Sequence, residues 1–120
     1  CDVVVPRDRI AAFVKKSVEI GKEMQVRICS FGHAGDGNLH IYVCQDGVAD
    51  EQWHETVEKV MERLYSEARL LSGEVSGEHG IGHAKRAFLE ESLGCEQVEL
   101  MRGIKKVFDP NGILNPGKVI

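Results

Sequence analysis

The spacing of apolar positions changes several times along the chain, and each change predicts a new element. Val3, Val4 and Val5 run unbroken to Pro6. Such a β-branched run, ending where the backbone loses a donor, predicts a strand over 2–5. From 7 to 24, Ile10, Phe13, Val14, Val18 and Met24 recur at helical spacing, with lysines and glutamates on the other side, which predicts an amphipathic helix. Residues 25–31 and 39–44 read as two further strands. AGDGN between them supplies residues that tolerate positive φ, so the pair should form a hairpin. A second helix is expected from Asp50, as its N-cap, to Leu71, with Trp53, Val57, Val60, Met61, Leu64, Ala68 and Leu71 on one stripe.

Beyond it, the glycine-rich segment SGEVSGEHGIG leads into a helix predicted from about Gly80 to Leu93 and stopped by Gly94. A last helix is expected over 95–108, ending at Asp109-Pro110, before a tail, NGILNPGKVI, rich in turn formers. The triplets at 72–74 and 76–78 are both Ser-Gly-Glu, too short an echo to define a repeat. The order β-α-β-β-α is most of a split β-α-β unit. The expected fold class is therefore α+β, a ferredoxin-like antiparallel sheet with helices on one face, plus C-terminal helices.

Alternation within the hairpin sorts its side chains. If His33 pairs with His40, then Val26, Ile28, Leu39, Ile41 and Val43 share the face that packs on helices. Cys29, Phe31, His33, His40, Tyr42 and Cys44 share the other. Both imidazoles then meet on the open face, at a separation that two ligands of one ion can use. Polar caps on an exposed sheet face would show the same pattern. Phe31 and Tyr42 shift the balance, because an aromatic face with paired imidazoles calls for a covering domain or a substrate.

The composition narrows the partners. The 120 residues carry fifteen Lys and Arg against nineteen Asp and Glu, a formal net charge of −4, with no basic tract to follow a phosphate backbone; nucleic acid is not an expected partner. No apolar run reaches the roughly 18 residues of a membrane span, and the expected location is cytoplasmic, or peripheral at the inner face of the membrane. The four cysteines lie far apart with no C-x-x-C pair, which suits reduced packing thiols. The opening CDVVVP looks like the middle of a strand, so a fragment of a longer protein is expected.

A divalent ion held by two imidazoles needs a third ligand, and Glu78 in SGEHGIG is the best candidate, since flanking glycines allow close backbone approach. Two imidazoles and a carboxylate are a common set for a catalytic zinc with one position left open. The competing reading of Glu78 is an acidic residue favoured by a helix N-terminus. His79, next to that ligand, is placed to act as a general base near neutral pH, though a polar residue at a helix start would look alike. His83 is expected at the surface, and Lys85 and Arg86 as solvated charges. Asp36 and Asn38 should make the turn, and either can also hydrogen-bond a ligand or orient a histidine.

FGHAGDGNLH, SGEHGIGHAK and FDPNGILNPGK, in that order over residues 2–119, resemble the C-terminal part of the FAD-linked oxidase family. That family includes the glycolate oxidase flavin subunit, D-lactate dehydrogenase and D-2-hydroxyglutarate dehydrogenase. The resemblance implies that residues 1–120 are a substrate- and metal-binding cap domain, with FAD held mainly by an N-terminal domain absent from this chain. It implies a divalent metal, often zinc, on His33, His40 and Glu78, and it maps a proton acceptor onto His79 and a flavin-facing tail residue onto Asn115. Asn38 and Tyr42 are the expected substrate contacts.

The implied reaction oxidises a small D-2-hydroxy acid, of the glycolate or D-lactate type, to the 2-oxo acid. The metal would engage the substrate's oxygens, His79 would accept the hydroxyl proton, and hydride would leave to flavin N5. An accepting subunit or a quinone would take the electrons onward. Without the flavin domain the chain by itself is expected to be inactive. A freestanding ferredoxin-like metal-binding or subunit-interaction module, without catalysis, would use the same residues.

Overall fold

Three strands and four helices follow one another in a computed structural model that describes residues 1–120. They are β1 (Asp2–Val4), α1 (Ile10–Glu23), β2 (Arg27–His33), β3 (Asn38–Cys44), α2 (Asp50–Leu70), α3 (Arg86–Leu93) and α4 (Cys95–Phe108), with a single 3-10 turn at Arg7–Arg9 ahead of α1. The strands form one antiparallel sheet in the order β1-β3-β2. The protein is thus mixed α+β, as expected. A lone antiparallel bridge between Val4 and Glu74 lies where a fourth strand would flank β1.

Residues 1–79 and 80–120 form two compact units. In the first, α1 packs on β2 and on α2, and α2 packs on β1. The core joins Val3, Leu39 and Ile41 of the sheet to Phe13 and Ile20 of α1 and to Val60, Leu64 and Ala68 of α2. Tyr65, absent from the predicted stripe, is buried with them. Val18, expected inside, is exposed. In the second unit α3 and α4 pack together, and Leu89 and Val98 are the apolar side chains they bury.

Several expected boundaries move, each for a local reason. Gln25 adopts φ 56 after α1, so β2 starts at Arg27 instead of 25. Asp50 is the first residue of α2, not its cap; Ala49 holds the cap position without a side-chain bond, and Asp50 adds its charge to the first turn, where the dipole favours it. α3 starts at Arg86, not Gly80, because Gly80 (φ 75) and Gly82 (φ 53) sit in the left-handed region and cannot open a right-handed helix.

The hairpin register also differs. His33 faces Asn38, Phe31 faces His40, Cys29 faces Tyr42 and Arg27 faces Cys44. The turn is therefore tighter than expected, confined to residues 34–37, with the Asp36 amide donating to the His33 carbonyl at 3.0 Å and Gly37 at φ 74. Asn38 is the first residue of β3 rather than part of the turn. Because the slip is by two positions, every side chain keeps its predicted face.

Candidate metal centre

β3 carries His40 to a position directly opposite Asp2 on β1 and Phe31 on β2. Residues opposite one another in antiparallel strands share a face, so Asp2 joins the histidine side of the sheet. There the segment 76–79 folds over it. The Asp2 carboxylate is fully buried. Its Oδ2 accepts the backbone N–H groups of Gly77 (2.8 Å), Glu78 (2.7 Å) and His79 (3.1 Å). The Ser76 hydroxyl donates to Oδ1 at 3.2 Å. Gly77 is required for this approach, since a Cβ there would lie 2.4 Å from the Asn38 Oδ1.

The loop so held brings Glu78 to three imidazoles. Glu78 Oε1 lies 2.9 Å from His40 Nε2 and 3.7 Å from both His33 Nε2 and His79 Nε2. His33 and His40 are diagonal rather than facing neighbours, yet their ring centroids are 5.5 Å apart in an edge arrangement. His79 stacks on His40 at 4.7 Å and 17°, and its Nδ1 faces Asp2 Oδ1 at 3.8 Å. Phe31 stacks on Tyr42 at 5.2 Å, and both are more than half exposed.

The donor atoms of His33, His40 and Glu78 all lie within 4.8 Å of one another. A tetrahedral zinc with bonds near 2.1 Å needs ligand atoms about 3.4 Å apart, a spacing these side chains can reach by small rotations. The set fits an ion in a second respect. His40 is buried, its Nδ1 is without a partner, and its Nε2 is the nitrogen turned to Glu78, at 2.9 Å. His33 and Glu78 are open to the surface, which leaves a side for a substrate.

Other predicted residues fall as follows. Asn38 is buried beside the loop, with Oδ1 unpartnered. Tyr42 is on the open face next along from His40. Asn115 lies in the second unit, in a groove of about 490 Å³ that Lys105, Leu114 and Lys118 also line, and it takes φ 47. His83 is exposed, as expected. Lys85 is not the solvated charge expected of it, being only 5 % exposed. Asp2 was the residue missed. Within Asp-Val-Val-Val it reads as the polar start of a strand, and the only signal for it was an acidic residue heading an otherwise apolar run.

Comparison with known proteins agrees with the motifs. The profile of the family described as FAD linked oxidases, C-terminal domain, matches residues 1–119. The chain is 50 % identical over 119 residues to a D-lactate dehydrogenase of Anaerostipes hadrus, covering 99 % of this chain and 25 % of that protein. It is 42 % identical to glycolate oxidase subunit GlcD of Bacillus subtilis, over 98 % of this chain and 25 % of that protein. With a D-2-hydroxyglutarate dehydrogenase of Stutzerimonas stutzeri the identity is 36 %, over 98 % and 26 % respectively. The chain thus spans about a quarter of the length of the curated relatives it matches.

Proposed function

The chain belongs to the FAD-linked oxidases as their C-terminal domain, and on that premise we propose that it is the cap domain of a flavin-dependent dehydrogenase. The substrate is a small D-2-hydroxy acid, of the kind named in its relatives, and the product is the 2-oxo acid. FAD is held mainly by a separate N-terminal domain, and an accepting subunit or a quinone takes the electrons onward. The observation that carries this reading is the convergence of three imidazole Nε2 atoms on Glu78 Oε1.

His33, His40 and Glu78 would hold a divalent ion, zinc by the nature of its donors. When bound, that ion supplies Lewis-acid polarisation of the substrate hydroxyl, while the flavin supplies the hydride acceptor. The chain's own residues do the rest. His79 accepts the hydroxyl proton at Nε2, the nitrogen on the cluster side, while Nδ1 faces Asp2. Phe31 and Tyr42 form an apolar floor that keeps water from one side of the substrate once the face is covered. Tyr42 from that floor contacts the substrate, whereas Asn38, whose Oδ1 is buried against Gly77, supports the loop. Asn115 in the tail would contact the flavin.

Elemental analysis and turnover of the full-length protein test the reading. His33→Ala and Glu78→Ala should each lose stoichiometric metal and turnover of D-2-hydroxy acids with an artificial acceptor. Variants that keep both would refute it.

A further inference from the structure

We propose that Asp2 is a positioning residue for this centre: its buried carboxylate fixes the backbone of residues 77–79 and thereby fixes where Glu78 and His79 present their side chains. The proposal rests on the reading of His33, His40 and Glu78 as a metal set.

Three successive backbone N–H groups can point at one oxygen only if the chain coils around it. Gly77, Glu78 and His79 do so around Asp2 Oδ2, at 2.8, 2.7 and 3.1 Å. A buried carboxylate is costly without donors, and bonds to an ionised acceptor are about twice as strong as neutral ones. Loop and carboxylate therefore specify one another, and alternative courses for 76–79 would leave a charge buried without its donors. Asp2 also stands opposite His40 in the β1–β3 register. One side chain thus links the loop bearing the carboxylate ligand to the strand bearing the buried imidazole ligand. Glu78 itself is half exposed, and none of its bonds to the cluster would by itself hold the loop's backbone.

The same logic recurs at Asp109, which accepts the amides of Ile113 (2.9 Å) and Leu114 (3.0 Å) in the other compact unit. Asp109 fixes a turn that carries no proposed metal ligand, so it serves as the comparison for a general loss of stability in the metal measurements.

The test uses full-length protein, wild type and the variants Asp2→Asn, Asp2→Ala, His33→Ala and Asp109→Asn. Co²⁺ affinity and the d–d absorption of the Co²⁺ form report the ligand geometry. Backbone amide exchange at Gly77, Glu78 and His79 reports the loop without reference to any ion. Asp2→Ala should weaken Co²⁺ binding at least about tenfold, the scale of losses when ligand-orienting partners are removed. Asp2→Asn keeps an acceptor oxygen without the charge and should fall between the two. Both should alter the d–d bands and speed exchange at the three amides, whereas Asp109→Asn should leave affinity, bands and these amides unchanged.

The proposal is overturned if the Asp2 variants keep wild-type affinity and bands, if the three amides exchange as in wild type, or if Asp109→Asn weakens Co²⁺ binding equally. Should Asp2→Ala fail to fold, Asp2→Asn decides by the same criteria. Wild-type protein that takes up no Co²⁺ removable by His33→Ala shows instead that the metal reading has failed, and the proposal falls with it.

Discussion

His79 sits between two carboxylates, with Nε2 toward Glu78 and Nδ1 toward the buried Asp2. If His79 takes the substrate proton, its loss should appear in turnover rather than in binding. His79→Ala in the full-length enzyme is expected to lower kcat by about 10²–10⁴-fold with KM and metal content little changed. A rise in KM with kcat preserved would assign His79 to binding instead. At the same scale, glycine does distinct jobs in the two Ser-Gly-Glu triplets. A Cβ at Gly73 would lie 2.3 Å from the Val4 carbonyl oxygen, whereas one at Gly77 would meet no backbone but would lie 2.4 Å from Oδ1 and 2.7 Å from Cγ of the buried Asn38 side chain. Gly73→Ala should therefore cost on the order of 2 kcal/mol of stability in chemical denaturation, because backbone has to move. Gly77→Ala should cost less stability but displace Glu78. Equal effects of the two changes on stability would contradict this account. The triplet echo was visible in the sequence, but the close approaches behind it were not, since they depend on β1 and β3 lying against the loop.

At the scale of elements, alternation in the hairpin placed every side chain on its correct face although the pairing expected was two positions out. Parity is set by the side-chain pattern, whereas absolute register is set by a turn whose glycines allow more than one length. Helix α3 was misplaced for the opposite reason. The helix was expected to begin as soon as the glycine-rich segment ended, and the left-handed conformations of Gly80 and Gly82 have no mark in periodicity. In α2 the sequence left out Tyr65, whose ring is buried and whose phenol is pushed up to about 12 by burial and then by the Asp2 charge. An unfolded tyrosine titrates near 10. The folded state keeps its proton while the unfolded chain loses it, so stability is full below about pH 10 and falls as pH rises from there toward 12. Denaturation midpoints should drop across that window, and Tyr65→Phe should remove this part of the slope; an unchanged slope would show that another group governs it. At the end of α4 the sign reverses. Asp109 is held below its ordinary value by the Lys105 ammonium and then by the amides of Leu114 and Ile113. Its contribution is present above the unfolded carboxyl value of about 4 and is lost as pH falls through the lower folded value.

Across the whole chain, burial is unevenly divided. Residues 1–79 hold a core of Phe13, Ile20, Ile41, Leu64 and their neighbours, whereas residues 80–120 bury only Leu89 and Val98 among apolar side chains. The second unit also leaves Leu100, Ile104, Val107, Phe108, Ile113 and Leu114 more than half exposed. The first four of these recur on α4 at spacings of four, three and one, an apolar stripe of the kind a helix normally buries. Local opening free energy follows buried apolar contact, so in the chain by itself the amides of α3 and α4 should exchange with deuterium well before those of α1 and β3. The proposed flavin domain adds a second expectation. If that domain covers this stripe, α4 amides should slow markedly in the full-length enzyme, while those of β3, already protected within the first unit's core, should change little. Equal rates for the two units in the short chain would contradict the uneven core. Equal rates for α4 in the short and full-length proteins would contradict a covering domain on that face, while leaving the ligand cluster of His33, His40 and Glu78 to be judged by its metal.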